Sequence, residues 1–259
     1  MSSVHAATTL ALWAAARIGG CSADDVLAAV DAAGHRVGVR AACSEIAAAT
    51  GLPGPGSPTA GSMALLPLMT DGGLPELLLP TAGDLRGLPP RSDITVPALD
   101  AGAVVVFPAL GIGVVPVDGH WRVHHCSGAN PALTVGDANA EIDSCMAEAT
   151  RSLTAVDIAR GSDQVREQVR IRMLAEALDI PPGTPSAASA LLAKVISLEA
   201  LLAVAQGHET AAVTSRELAV VDDALRPLAG SVRAGRRAAV ANAARALAQP
   251  SVSSSRSRR

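Results

Sequence analysis

The spacing of apolar residues changes period along the chain, and those changes divide it. Over residues 4–18, Leu10, Trp13 and Arg17 fall at helical spacing in an alanine-rich run that Gly19-Gly20 stops. Ser22 with Asp25 is an S-x-x-D start, and Val26, Leu27 and Val30 then form an apolar face as far as Gly34. Val37 and Val39 share a face within 35–40 and predict a first strand; a brief helix follows over 44–50. Residues 51–58, rich in Gly and Pro, read as an exposed loop. One or two helical turns are expected over 62–70 despite Pro67, a buried strand over 76–79, and a turn-rich loop over 81–90. Residues 98–101 read as a single helical turn. Residues 103–107, 112–117 and 120–126 read as successive strands, with Asp118-Gly119 as a hairpin signal. Strands joined by so few residues must run antiparallel.

After Pro131 the period is helical throughout. A helix, or two, spans 134 to about 160, opened by Thr134-x-x-Asp137. Ser162 caps the next, with Val165, Val169 and Met173 on one face. Thr184-Pro185 opens a helix over 186–206 that is apolar nearly all round, broken only by Lys194 and Glu199. Such a helix belongs at the centre of a bundle. Its two charges diverge by about 140° around the axis, so each is expected to meet a partner from another element. Thr214-x-x-Glu217 is a capping box for a helix to about Arg226, and a last helix runs from about Leu228 to Gln249. The fold class is therefore α+β: a small, mostly antiparallel sheet flanked by helices over 1–130, then a helical domain over 131–249. A Ser/Arg tail over 250–259 is expected to be disordered.

Three runs in the first half carry a family resemblance. They are Leu77-Leu-Leu-Pro-Thr-Ala-Gly-Asp-Leu-Arg-Gly-Leu-Pro89, Ala98-Leu-Asp-Ala-Gly-Ala-Val-Val105 and Gly111-Ile-Gly-Val-Val-Pro116. Together they resemble an uncharacterised family of GC-rich, actinobacterial-type proteins. That family has no assigned activity, so the resemblance implies a layout and no functional residue.

Composition narrows the mechanisms. Among 259 residues there are one Phe, two Trp and no Tyr, while alanine supplies about a fifth of the chain. Rings for stacking bases or sugars are nearly absent. Cations comprise 20 Arg and the single Lys194, a bias that GC-rich codons impose, so arginine abundance alone is no phosphate signal. Formal net charge is −3. Only the last nine residues are strongly basic, and a mildly acidic body argues against general nucleic-acid binding. Cys21, Cys43, Cys126 and Cys145 form no CxxC pair and read as free thiols of a cytoplasmic protein. Neither a signal peptide nor a membrane helix is read from the pattern.

The densest polar cluster is His120-Trp-Arg-Val-His-His-Cys126. Alternation puts His120, Arg122, His124 and Cys126 on one face and Trp121, Val123 and His125 on the other. His120 and His124 would lie about 13 Å apart along a strand, too far to share an ion. His124 with Cys126 supplies only two ligands, so neither metal nor cofactor is expected. The favoured expectation is a solvent-facing polar stripe backed by a Trp/Val core face. Asp84 and Arg86, in the loop after a buried strand, could join His120, Arg122 and His124 in orienting a polar ligand. Gly111-x-Gly113 lacks both the third glycine and the following helix of a dinucleotide site. On the last helix Arg233, Arg236 and Arg237 could grip phosphates.

Three functions follow. The leading one is a non-catalytic interaction or assembly module whose alanine-rich helices pack against a second copy or a protein partner. The alternative is a small-ligand binding protein or enzyme, with its polar site at Asp84, Arg86, His120, Arg122 and His124. The third is an accessory nucleic-acid binder working through the C-terminal arginine helix.

Overall fold

Short caps and glycine stops set the element boundaries. The computed structural model describes residues 2–34, 38–85, 87–89, 91–117, 119–127, 131–154, 163–207 and 215–249. Arg86, Asp118, Ser162, Thr214 and the 250–259 tail fall outside them. Two compact units form. The first draws its described residues from Met1–Pro131, Leu178–Pro185 and Val240–Arg259; the second draws them from Ala132–Ala177 and Ser186–Ala239.

The first unit opens with α1 (Ser3–Ile18), capped by the Ser2 side chain accepting from the His5 N–H. Then comes α2 (Ala23–Ala32), where Ser22 accepts from the Asp25 N–H. There follow β1 (Val39–Ala41), α3 (Ser44–Thr50), α4 (Leu65–Asp71) and β2 (Glu76–Leu78). The unit continues with α5 (Thr95–Ala101), β3 (Val104–Phe107), β4 (Ile112–Val117) and β5 (His120–His125). The sheet order is β1-β5-β4-β3-β2. β1 runs parallel to β5, and the other three pairs are antiparallel. The class is α+β with a mixed sheet. α5 begins three residues earlier than the single turn expected from Ala98.

Paired residues share a face, which sorts the sheet into two surfaces. On one, Leu78, Val104, Val106 and Val115 pack with Cys126 under Leu88, Ile94 and Ala98, delivered by α5 and the chain before it. The other carries Val105, Phe107, Val114, Trp121 and Val123, all buried. α1 and its neighbour α4 cover this second face; a Cβ on Gly72, at the end of α4, would meet the Phe107 Cβ at 2.7 Å. Every residue of α1 from His5 to Ala16 is buried. The glycine that ends it lets the chain approach closely: a Cβ on Gly19 would lie 1.9 Å from the Leu247 carbonyl oxygen. Trp13 Nε1 donates to the Asp179 carbonyl at 2.8 Å, anchoring the 178–185 segment.

The second unit comprises α6 (Val135–Thr154), α7 (Asp163–Ala175), α8 (Ser186–Gly207) and most of α9 (Ser215–Leu247). α9 is one helix of 33 residues that continues through Pro227, where the proline suggested a break. Pro227 and Asp223 are both exposed, so the carbonyl left without a donor is hydrated. The charges of α8 meet partners from other elements. Lys194 Nζ donates to Asn139 Oδ1 at 2.8 Å and Asp143 Oδ1 at 2.6 Å on α6. Glu199 pairs with Arg236 on α9. By length and composition alone Ser186–Ala205 could cross a membrane, yet half of it is buried inside the protein.

Candidate functional site

The sheet face under α5 is split between a mostly apolar half and a basic half, and the split follows strand order. On β2, β3 and β4 it carries Leu78, Val104, Val106 and Val115, with Glu76 beside Val106 on the outer strand. On β1 and β5 they are Arg40, His120, Arg122 and His124. The register fixes their neighbours: Arg40 lies beside Arg122 in the parallel ladder, Arg122 beside Val115, and His124 beside Gly113. Strand spacing sets the Arg40 and Arg122 backbones about 4.8 Å apart, with both side chains on one face.

The expected solvent-facing stripe is corrected here. His120 is 7% exposed and His124 5%. The chain entering α5 crosses this face, and Gly113 makes room for it. A Cβ on Gly113 would lie 2.5 Å from Ile94 Cδ1 and 2.9 Å from the Cys126 Cβ. The same segment brings Asp93 into the electrostatic field of His124.

The two histidines differ in their bonding. Arg40 Nε donates to His120 Nε2 at 3.2 Å, which requires a neutral His120 ring with its proton on Nδ1. Neither ring nitrogen of His124 has a hydrogen-bond partner. Burial drives its pKa down from 6.5 to about 4; the Arg122 charge pushes the same way and Asp93 opposes. At neutral pH the ring is therefore uncharged, with one N–H donor and one acceptor unused. Arg40 and Arg122 are half-buried, and neither has an ion-pair partner among the described residues. His125, on the opposite face, is exposed and meets Glu45 at 3.6 Å.

Asp84 sits in the tight turn that follows β2. Its N–H and carbonyl exchange hydrogen bonds with Thr81 at 2.9 and 3.0 Å, closing the turn after β2, the edge strand farthest from β1. The carboxylate that acts on His124 is Asp93. No periodicity signals it, because its position depends on how the loop crosses the sheet. Arg40 was likewise missed: nothing in a three-residue strand announces that it pairs in parallel with β5.

The arginines of α9 are placed differently from a phosphate-gripping row. Arg236 is 1% exposed, and its Nε donates to Glu199 Oε1 at 3.0 Å. Arg237 is 7% exposed, and Arg233 is half-buried. Burial keeps Arg236 and Arg237 from presenting guanidiniums to a nucleic-acid backbone. An open groove in the second unit is lined by Ser144, Cys145, Glu148, Asp223 and Pro227. Its carboxylates are already paired, Glu148 with Arg151 and Asp223 with Arg226. Among the described residues no group of three or more His, Cys, Asp or Glu side chains is placed to hold a metal ion.

A family model described as Rv1486c-like protein, N-terminal domain, matches residues 7–135. A second, described as Rv1486c-like protein, C-terminal domain, matches residues 136–240. No curated protein and no solved structure matches the chain.

Proposed function

We propose, for a chain that belongs to the Rv1486c-like protein family across both of that family's domains, that the first unit binds a small polar molecule on the basic half of its sheet, without catalysis. One observation carries this reading. His124 is buried with both ring nitrogens unpartnered, an arrangement that costs about 1–3 kcal/mol when nothing answers it. Proteins tolerate such groups where function uses them. Among the described residues no hydroxyl or thiol is hydrogen-bonded to His124, whose ring nitrogens are both unpartnered, and this favours binding over chemistry. The four free thiols fit a reducing, cytoplasmic setting.

Native mass spectrometry of the gently purified full chain tests the reading. The wild type is expected to carry a small molecule that denaturation releases and that His124→Leu protein lacks. Each protein appearing at its own bare polypeptide mass, with no added polar compound perturbing the His124 ring signals, would refute it.

A second reading, assembly, rests on a different observation. The alanine faces of α1 and of the end of α9 are buried within the first unit, so they offer no docking surface. α7 instead exposes Ile171 at 55% and Leu174 at 65%. Self-association of two copies through α7 would appear in sedimentation velocity as a concentration-dependent dimer. Leu174→Asp would abolish it, and a monomer at every concentration would exclude it.

A further inference from the structure

We infer that Arg40 and Arg122 grip a small oxyanion, a carboxylate or phosphate group, with His124 as the third contact. This rests on the ligand-binding reading above and names the chemical class of the ligand.

Three observations converge on it. First, Arg40 and Arg122 are side by side on neighbouring strands, on one face. Two half-buried arginines of like charge on neighbouring backbones repel each other, and an anion bound to both offsets that repulsion. Second, neither has a carboxylate of this chain to do so among the described residues. The remaining acid nearby, Asp93, acts on His124, and Glu45 is engaged with His125 on the other face. Third, His124 sits next to Arg122 on the same face, two positions along β5, with an unused N–H. A planar fork from each arginine and one imidazole donor match the oxygens of a carboxylate or phosphate, which accept several hydrogen bonds at once.

The surroundings add selectivity. Arg40 is steadied by His120, whose Nε2 takes its Nε–H, leaving the terminal nitrogens of the guanidinium for a ligand. On the Val115 side the floor is apolar, with Ile94 over Gly113. A compact anion fits this description better than a polyanion, because among the described residues of this face no second cationic row follows the first.

The test is a titration of the full chain with inorganic phosphate and, separately, succinate, at ionic strength held constant with sodium chloride. Melting temperature and the His124 ring signals in NMR are the readouts. A saturable rise in melting temperature with movement of the His124 signals is expected for at least one probe, and neither for chloride. Which probe saturates separates a phosphate source from a carboxylate source. Arg122→Gln and Arg40→Gln should each weaken the response at least tenfold while far-UV dichroism stays that of the wild type. Arg122→Lys should retain part of it, and Arg151→Gln, in an exposed pair, all of it. Failure of both probes to saturate, or equal responses in wild type and Arg122→Gln, overturns the oxyanion assignment. A neutral molecule retained in the mass-spectrometric experiment would overturn it too, while leaving the binding reading intact.

Discussion

Replacing His124 by leucine should stabilise the ligand-free protein or leave its stability unchanged. For a buried residue the usual direction is opposite, since most core substitutions cost about 1 kcal/mol or more. The magnitude follows from the site. Leucine fills a volume close to that of imidazole and removes two buried nitrogens that have no hydrogen-bond partner. Stranded polar groups of this kind cost about 1–3 kcal/mol, so a gain of about 1–2 kcal/mol at pH 7.5 is expected. The difference must also grow as pH falls. The His124 pKa is about 4 in the folded protein and 6.5 in the unfolded chain. Between those values the unfolded state binds a proton that the folded state refuses, so wild-type stability declines as pH drops from 6.5 towards 4. A shift of that size amounts to at most about 3 kcal/mol, and the leucine variant escapes it. Urea unfolding followed by tryptophan fluorescence reads the relevant unit, because Trp13 and Trp121 both belong to it. Destabilisation by more than about 1 kcal/mol at pH 7.5, or a difference between the proteins that stays constant down to pH 4.5, would refute the reasoning.

Three further outcomes are expected. Asp93→Asn removes the charge that holds the His124 pKa up, so that pKa should fall further, as read by NMR titration of the ring; a rise would contradict the placement of Asp93. Glu199→Ala removes the carboxylate that answers a guanidinium 1% exposed and should cost about 3 kcal/mol in thermal or urea melts followed by far-UV dichroism. Adding Arg236→Met should restore most of that loss, and no restoration would mean that the pair is not the cause. Gly113→Ala drives a Cβ against Ile94 and Cys126 and should cost about 1–3 kcal/mol in urea unfolding, whereas a neutral result would mean the chain entering α5 does not cross there as closely as described.

What was legible in the sequence depended on how local the determining physics was. Ser22 at a helix start, and Gly51 and Gly102 in left-handed turns at helix ends, mark boundaries through contacts within a few residues. The three strands from 103 to 126 were equally readable, since alternation and a two-residue connection decide both pairing and face. The opposed charges of α8 could be reasoned to need separate partners, because their divergence is a property of one helix. The site failed the same test of locality. Alternation grouped His120, Arg122 and His124 correctly, but burial depends on what crosses above them, and that segment lies some thirty residues earlier. Arg40 joins them only through a parallel pairing, which no hairpin signal encodes.

Arginine abundance argues against reading function into any single arginine, and partner assignment is what separates them. In a chain with one lysine, arginine serves every task that needs a cation. Arg151, Arg170 and Arg226 each pair one turn away with Glu148, Glu167 and Asp223 on exposed helix faces, where such pairs contribute little beyond solubility. Arg236 is buried against Glu199 and orders α8 relative to α9. Arg17 Nη1 donates to the Cys21 carbonyl and ties off the end of α1. Arg91, Arg172 and Arg245 are exposed, and water answers their charge. Arg40 and Arg122 fit none of these uses. They are half-buried, adjacent, of like charge and, among the described residues, unmatched by a carboxylate, beside an imidazole that is itself unmatched. A codon bias explains why these positions are arginine rather than lysine. It does not explain why two cations share one half-buried face with no ion-pair partner among the described residues, and an anionic ligand does.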